Sequence, residues 1–350
     1  MLASAEAAAQ SPAPGPRWEI EVHGGAMRAT NPTDGTTAAP GPGSLAPNGS
    51  RPVSSWFFGD GASQLTQATS VRQIAPNVSL DPVLQSRFVR RRSSGTVGLR
   101  VSRELTRQFT AELTLDYNPG TLALTSDSAS GLEAARAGFV TAWNGVFSGG
   151  FFASRTVSSV ATISDRTGRQ VTTTGTVLVN LRPAARLAPY VTVGVGALSN
   201  RGAAPSAALA GDYQFVLFVP VGPNPSPTFR QTDSVTVRSD VDTGLGWVVG
   251  AGVKYAVARR WGVRVDVRDI LAGHRLRTLV DATPAPASQP FGTLTMSSFN
   301  ATTGATLPLV FSGAPSTSTL SGPQISGFET FKGTGIEHHV HATAGLFWRF

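Results

Sequence analysis

Charged side chains at alternate positions are the first chemistry the chain offers. Glu19, Glu21, Glu112, Asp116 and Asp266 sit on the polar faces of period-2 segments, as do Arg100, Arg182, Lys254, Arg264, Arg268 and Arg349. In an extended strand residues i and i+2 share a face. Closing such strands into a tube collects these groups in one interior. Buried charges persist only when paired and hydrogen-bonded, so the near balance of signs points to a cross-strand ionic network that fills the lumen. The other use of the same groups is a narrow path for a solute. Gly194, Gly196, Gly244, Gly246, Gly250 and Gly252 share the inward face. They leave room for long arginines opposite, or for a small water pocket. Gly244-x-Gly246 lies in a strand with no helix after it, so it is no nucleotide fingerprint.

Histidine is the second candidate. His339 and His341 share the inward face near the end of the last strand, and His23 lies inward on the first, which must pair with the last. Two histidines at i,i+2 with a third ligand, His23 or Glu337, could hold a metal; lining the lumen is the plainer role. Two further groups lie in long connections. Trp56, Phe57 and Phe58 form an apolar triplet that packs under its loop, caps the barrel mouth or stays exposed as a binding patch. Arg87, Arg90, Arg91 and Arg92 precede the second strand and could bind lipid phosphates. Arginines also mark the short turns, at Arg103, Arg107, Arg186, Arg259 and Arg260.

Eight alternating segments position these groups: 18–27, 97–102, 109–117, 177–182, 191–197, 244–255, 261–268 and 339–350. Short connections at 103–108, 183–189 and 258–260 alternate with long ones at 28–94, 118–171, 200–241 and 272–337. That layout predicts an all-β fold, an eight-stranded antiparallel transmembrane β-barrel with short turns on one rim and four long surface loops on the other. One segment is helical by pattern. Ser130-Gly131-Leu132-Glu133 reads as a capping box, and Leu132, Ala135, Phe139, Trp143 and Val146 follow at helical spacing until Gly145 and Gly149-Gly150. It predicts a short amphipathic helix in the second long loop, a lid or interfacial element with ligand gating as the alternative. Residues 1–16 read as a disordered tail or a signal-peptide remnant, and 17–350 as a single barrel.

Composition narrows the class. Only 14% of the 350 residues are charged and 41% are hydrophobic, against roughly 25% charged in an ordinary soluble domain. Mean hydropathy is 0.00, and no run reaches the ~18 apolar residues of a membrane helix. The absence of cysteine excludes a disulfide scaffold and a thiolate metal site. The net charge of +8 is nearly all arginine, Lys254 and Lys332 being the only lysines. Trp18, Phe109, Tyr255, Trp261, Trp348 and Phe350 fall at strand ends, where interfacial girdles sit.

The last ten residues, HATAGLFWRF, resemble the assembly signal of bacterial outer-membrane barrel proteins. Residues 245–268 resemble the penultimate hairpin of small OmpA-type barrels. The resemblance implies a bacterial outer-membrane location. It implies outer-membrane lipids and lipopolysaccharide as surroundings, and recognition of the C-terminal strand by the barrel-assembly machinery. A monomer without cofactor or enzymatic activity is expected, the barrel serving as anchor and the loops as the interacting surface. A narrow porin is the first alternative. A lipid-modifying enzyme is the second: His341-Ala342-Thr343 only faintly matches the His-Ser site of such enzymes, and it faces inward. Nucleic acid is not expected, since the charge is spread over many elements and no binding motif is present.

Overall fold

The computed structural model describes residues 17–31, 34–47, 49–70, 76–148, 152–183, 185–217, 228–273, 276–288, 293–296, 308–314 and 317–350. The expectation for residues 1–16, and the Gly149-Gly150 helix stop, lie outside them. In chain order the elements are β1 (Trp18–Ala29), β2 (Asp34–Thr37), α1 (Gly59–Ser70), α2 (Asp81–Leu84), β3 (Val89–Arg91), β4 (Ser94–Glu104), β5 (Phe109–Pro119), β6 (Leu122–Leu124) and α3 (Ser126–Val146). There follow β7 (Phe152–Ser164), β8 (Arg169–Asn180), β9 (Leu187–Arg201), β10 (Ser206–Leu217), β11 (Thr228–Val241), β12 (Gly244–Ala256), β13 (Trp261–Gly273), β14 (Leu276–Ala282), β15 (Thr293–Met296), β16 (Leu309–Ser312), β17 (Ile325–Thr334) and β18 (Ile336–Arg349).

Eight of these strands close into an antiparallel barrel in the order β1-β18-β13-β12-β9-β8-β5-β4. The first and last strands seal it, with Ile20 opposite Trp348 and Ala26 opposite Ala342. The apolar members of each alternation point outward: Val97, Leu113, Val193, Trp247, Val265 and Leu346 are all exposed. The polar members are buried inside. Along β1 the outward row runs from Trp18 to Ala26 before Arg28 interrupts it, nine residues, about the length of a tilted transmembrane strand. The outward hydrogen bond of His338 with Asp269 (2.7 Å) marks the same edge on β13 and β18. No helix among the described residues is long and apolar enough to cross a membrane; the crossing is made by strands.

The long connections are not simple loops, as the sequence reading had them. Every barrel strand continues beyond the barrel into another strand, and the neighbours are kept. The outer strands form a six-stranded sheet in the order β2-β17-β14-β11-β10-β7, plus the pair β3-β6. Only the two continuations that would pair β6 with β7 and β2 with β3 are absent among the described residues. At those seams the chain inserts helices instead, α3 between β6 and β7, and α1 with α2 between β2 and β3. Sidedness reverses across the boundary. On β13 the inward positions are Arg264, Asp266 and Arg268, then Ile270 and Ala272; on β14 they are Leu276, Thr278, Val280 and Ala282, apolar but for the threonine. Lipid surrounds the lower half, so apolar groups face out there. Where water surrounds the wall, the hydrophobic effect turns them in.

The result is a second hydrophobic core, centred on α3. Leu132, Ala135, Phe139, Trp143 and Val146 form the buried stripe expected from their spacing. The helix begins earlier than the capping box suggested. Thr125 is the cap, its side chain accepting from Ser128 N (3.1 Å), while Ser130 and Glu133 lie inside the helix and Glu133 pairs with Arg136 (2.5 Å). Nor is α3 a lid or an interfacial helix. Trp143 stacks on Tyr213 with ring centroids 4.1 Å apart, and Phe139 on Phe57 at 4.8 Å. Phe139 can approach the wall only because Gly211 faces it; a Cβ there would lie 2.4 Å from the ring.

Candidate functional site

The lumen is where the sequence placed its chemistry, and in its middle layer side chains from opposite walls meet, above a cavity of about 100 Å³ at the short-turn end. At the short-turn end Glu19 accepts from Lys254 Nζ (2.6 Å) and Arg349 Nε (3.0 Å). The next layer holds three arginines and three carboxylates from four strands, β1, β4, β5 and β13. Arg264 donates to Glu21 (3.2 Å), Glu112 (2.5 Å) and Asp266 (3.2 Å), and also to the Tyr190 hydroxyl (2.6 Å). Arg100 reaches Glu21 (2.7 Å), Asp266 (3.1 Å) and Thr343 Oγ1 (2.8 Å). Arg268 reaches Asp266 (2.9 Å) and Glu112 (2.5 Å). Asp266 also accepts from Tyr190 (3.0 Å) and Thr343 (2.5 Å). Above this layer His23 donates from Nε2 to Asp116 (2.5 Å). Higher still, Arg91 forks onto Glu337 (2.8 and 2.9 Å), which also accepts from His339 (3.2 Å). Leu198, Val248, Ile270 and Ala272 form an apolar patch at the top of the lumen wall.

These bonds have a local cause. The short hairpins fix register, and a period of two then fixes which residues look inward. Across the β12–β13 pair Gly252 faces Asp266, and Gly250 faces Arg268. A Cβ at Gly252 would lie 2.2 Å from the Tyr190 hydroxyl and 2.5 Å from Asp266 Cβ. Gly250 and Gly252 therefore make room for Arg268, Asp266 and Tyr190, whereas Gly194, Gly196, Gly244 and Gly246 face threonines, small or branched apolar side chains and backbone. Tyr190 itself was missed, because the fifth segment was started one residue later. Its parity with Thr192 and Gly194 was the available signal.

Several expected site residues lie elsewhere. Arg182 is exposed in the turn after β8, which ends at Asn180, and takes no part in the network. His23 sits opposite Gly345, four residues deeper than His341, whose partner is Met27. The three histidines are thus not brought together, and no group of three His, Cys, Asp or Glu among the described residues could hold a metal. Arg91 is buried against Glu337 and is withdrawn from any lipid contact, while Arg90 and Arg92 are exposed and Arg87 half-buried. Alternation along β3 separates them. Trp56, Phe57 and Phe58 are buried in the outer core and do not stay exposed as a binding patch. Trp18, Phe109, Tyr255, Trp261, Trp348 and Phe350 are all exposed, and all six lie at the short-turn rim. Arg103 and Arg186 lie over Trp18 and Tyr255 at 5.4 and 5.3 Å from the ring centroids.

A closed antiparallel barrel with an apolar exterior, an aromatic rim and a charged interior is the architecture of an outer-membrane β-barrel protein. The chain belongs to the outer membrane protein beta-barrel domain family, whose model matches residues 93–304. β1 and β18, which close the barrel, lie outside the matched stretch. Comparison with curated proteins finds no match. Among solved structures, the crystal structure of a Pseudomonas aeruginosa FadL homologue aligns at 8% identity and a TM-score of 0.18, over 95% of this chain and 90% of that one. A likeness of that size carries no argument.

Proposed function

We propose that the protein is a non-enzymatic component of the bacterial outer membrane, an OmpA-type barrel that anchors a folded body at the cell surface. The surface of that body is the interacting part, with a structural or ligand-binding role. The observation behind this is the interlocked layer of Arg100, Arg264, Arg268, Glu21, Glu112 and Asp266, in which every member bonds at least two others. A solute crossing there would have to separate buried ion pairs, which costs several kcal/mol for each ion left unpaired. The protein is taken to act as a monomer without cofactor. Its C-terminal strand is the segment that the barrel-assembly machinery would recognise, and lipopolysaccharide is its lipid environment.

Planar-bilayer recording tests the plug: no steady conductance is expected, and steady openings would reject it. The second reading, a narrow porin, draws on one observation. The buried hydroxyls of Thr96, Thr174, Thr176 and Thr192 have no partner among the described residues, and such groups line wet interiors. Selective, steady single-channel steps would favour that reading. Unchanged lipid A mass spectra on overexpression are expected; a new lipid A species would favour the lipid-modifying enzyme.

A further inference from the structure

The outward wall over β8, β9, β12 and β13 is not smooth. A groove of about 630 Å³ runs along it, lined by Thr173, Gly175, Ala197, Leu245, Trp247 and Leu271. Small residues make its floor. Thr173, Ala197 and Leu245 are register partners in one row, and Gly175, Val195 and Trp247 in the next. Beyond Gly175 a Cβ would meet nothing within 4 Å. Leu245 and Trp247 stand up as one side of the groove and are among the most exposed large apolar side chains.

The same face ends in charge. Arg169 and Arg201 are exposed and stand directly opposite each other across the β8–β9 pair. Both share the outward parity of Thr173, Gly175 and Ala197. Like charges directly opposite destabilise a strand pair, and neither arginine has a carboxylate partner among the described residues. The neighbouring charges are already matched: Arg238 with Asp281 (3.0 Å), and Arg277 with Asp240 (2.6 Å) and Asp242 (3.1 Å). Arg169, Arg201 and Arg238 line a hollow of about 330 Å³ at this level, together with Asp240, which is held by Arg277, and apolar side chains such as Leu122 and Val241. Arg169 is six residues from Gly175, so the charged end and the groove floor span ~20 Å along the strand.

We propose that this face is a binding site for a phosphorylated lipid of the outer leaflet. Its phosphate lies between Arg169 and Arg201, and one acyl chain lies down the groove past Gly175. Guanidinium groups take phosphate oxygens in pairs, and an anion between the two arginines removes their repulsion. An apolar groove directly below selects an amphiphile over a free anion. The inference rests on the membrane reading and names the lipid that reading leaves open.

The test uses the full chain in nanodiscs of phosphatidylcholine, with native mass spectrometry after release into detergent and lipid A as the probe. One retained lipid A is expected on the unaltered protein. The double variant Arg169→Gln/Arg201→Gln should lose about tenfold or more of that retention. Gly175→Trp, which fills the groove from the lipid side, should do likewise, and dephosphorylated lipid A should be retained about tenfold less. Equal retention by the double variant or by Gly175→Trp would overturn the site. Displacement of lipid A by millimolar inorganic phosphate would also overturn it, because it would mean a free-anion site without a lipid. Insertion and heat-modifiable mobility are read on the same samples. A chain that stays out of the bilayer overturns the membrane reading together with the site, whereas loss of retention in a correctly inserted variant supports the site.

Discussion

At the scale of single residues, Asp266 and Asp233 are two buried carboxylates held in opposite ways. Asp266 bonds three arginines at once. Replacing it with Ala leaves Arg100, Arg264 and Arg268 short of negative charge, and removal of one partner from a buried network costs about 3–5 kcal/mol. The urea midpoint of the heat-modifiable form should fall accordingly. Glu133→Ala, which breaks the exposed pair with Arg136, should leave that midpoint almost where it was, because solvent screens the pair. Equal effects would mean that the lumen is well hydrated. Asp233 lies in the outer core and has no cation beside it among the described residues. It accepts from Trp56 N (2.6 Å) and Ser55 Oγ (2.9 Å), and burial raises its carboxyl to about 7 against those bonds. The folded state therefore holds a proton that the unfolded chain releases near pH 4. Stability of the outer body is fullest below about pH 4, declines as pH rises toward 7 and is level above, a loss of about 4 kcal/mol in all. Near-UV dichroism should show a higher melting midpoint at pH 5 than at pH 8, and Asp233→Asn should flatten the difference.

Elements show how one face of a strand serves two environments. β9 and β10 run almost without a break, and the inward positions pass from Thr192 and Gly194 through Leu198 to Leu209, Tyr213 and Phe215. The outer sheet then needs something apolar to close on, and α3 supplies it. The fit depends on Gly211 opposite Phe139. Gly211→Leu would push the ring out of its seat, and overpacking of this kind costs about 1–3 kcal/mol. The expected result is a weaker near-UV signal and faster proteolysis at α3, with the barrel's heat-modifiable shift kept. Loss of both signals together would mean that barrel and outer body unfold as one.

For the whole molecule, the decisive division is between the lipid-facing belt and the water-facing body above it. Val265 is outward on β13, between Val263 and Val267, and exposed. A charge at that depth should destabilise the barrel by about 2–4 kcal/mol. Val265→Arg should therefore lower the urea midpoint in lipid, while Val160→Arg, on the exposed edge strand β7 of the outer sheet, should change it by about 0.5 kcal/mol or less. The opposite order would place the belt on the wrong part of the wall. Among the described residues edge strand β7 pairs only with β10, so added charge there also guards against edge-to-edge association.

Much of the barrel was legible in sequence because its code is binary and local. A period of two, short turns at every second connection and aromatic residues at strand ends define eight strands and their faces without knowledge of any distant contact. The same code named nearly every lumen charge, from Glu19 to Arg349, and failed at Arg182 only because a strand ended two residues early. The outer body was not legible. Its strands β7, β10, β11 and β14 carry alternation as well, but their apolar face turns inward, and only the position of the membrane boundary tells the two cases apart. That boundary is a property of the closed barrel. Partner choice also waited for three dimensions. The pairing of Arg264 with Glu112 spans 152 residues, and that of Arg91 with Glu337 spans 246; such contacts depend on how the hairpins close on one another, which no local pattern encodes. The depth of His23 followed from register as well. Sequence determined which side chains face the lumen and the lipid, since alternation is set by backbone geometry. Tertiary structure decided which of them meet, because that depends on how the barrel closes.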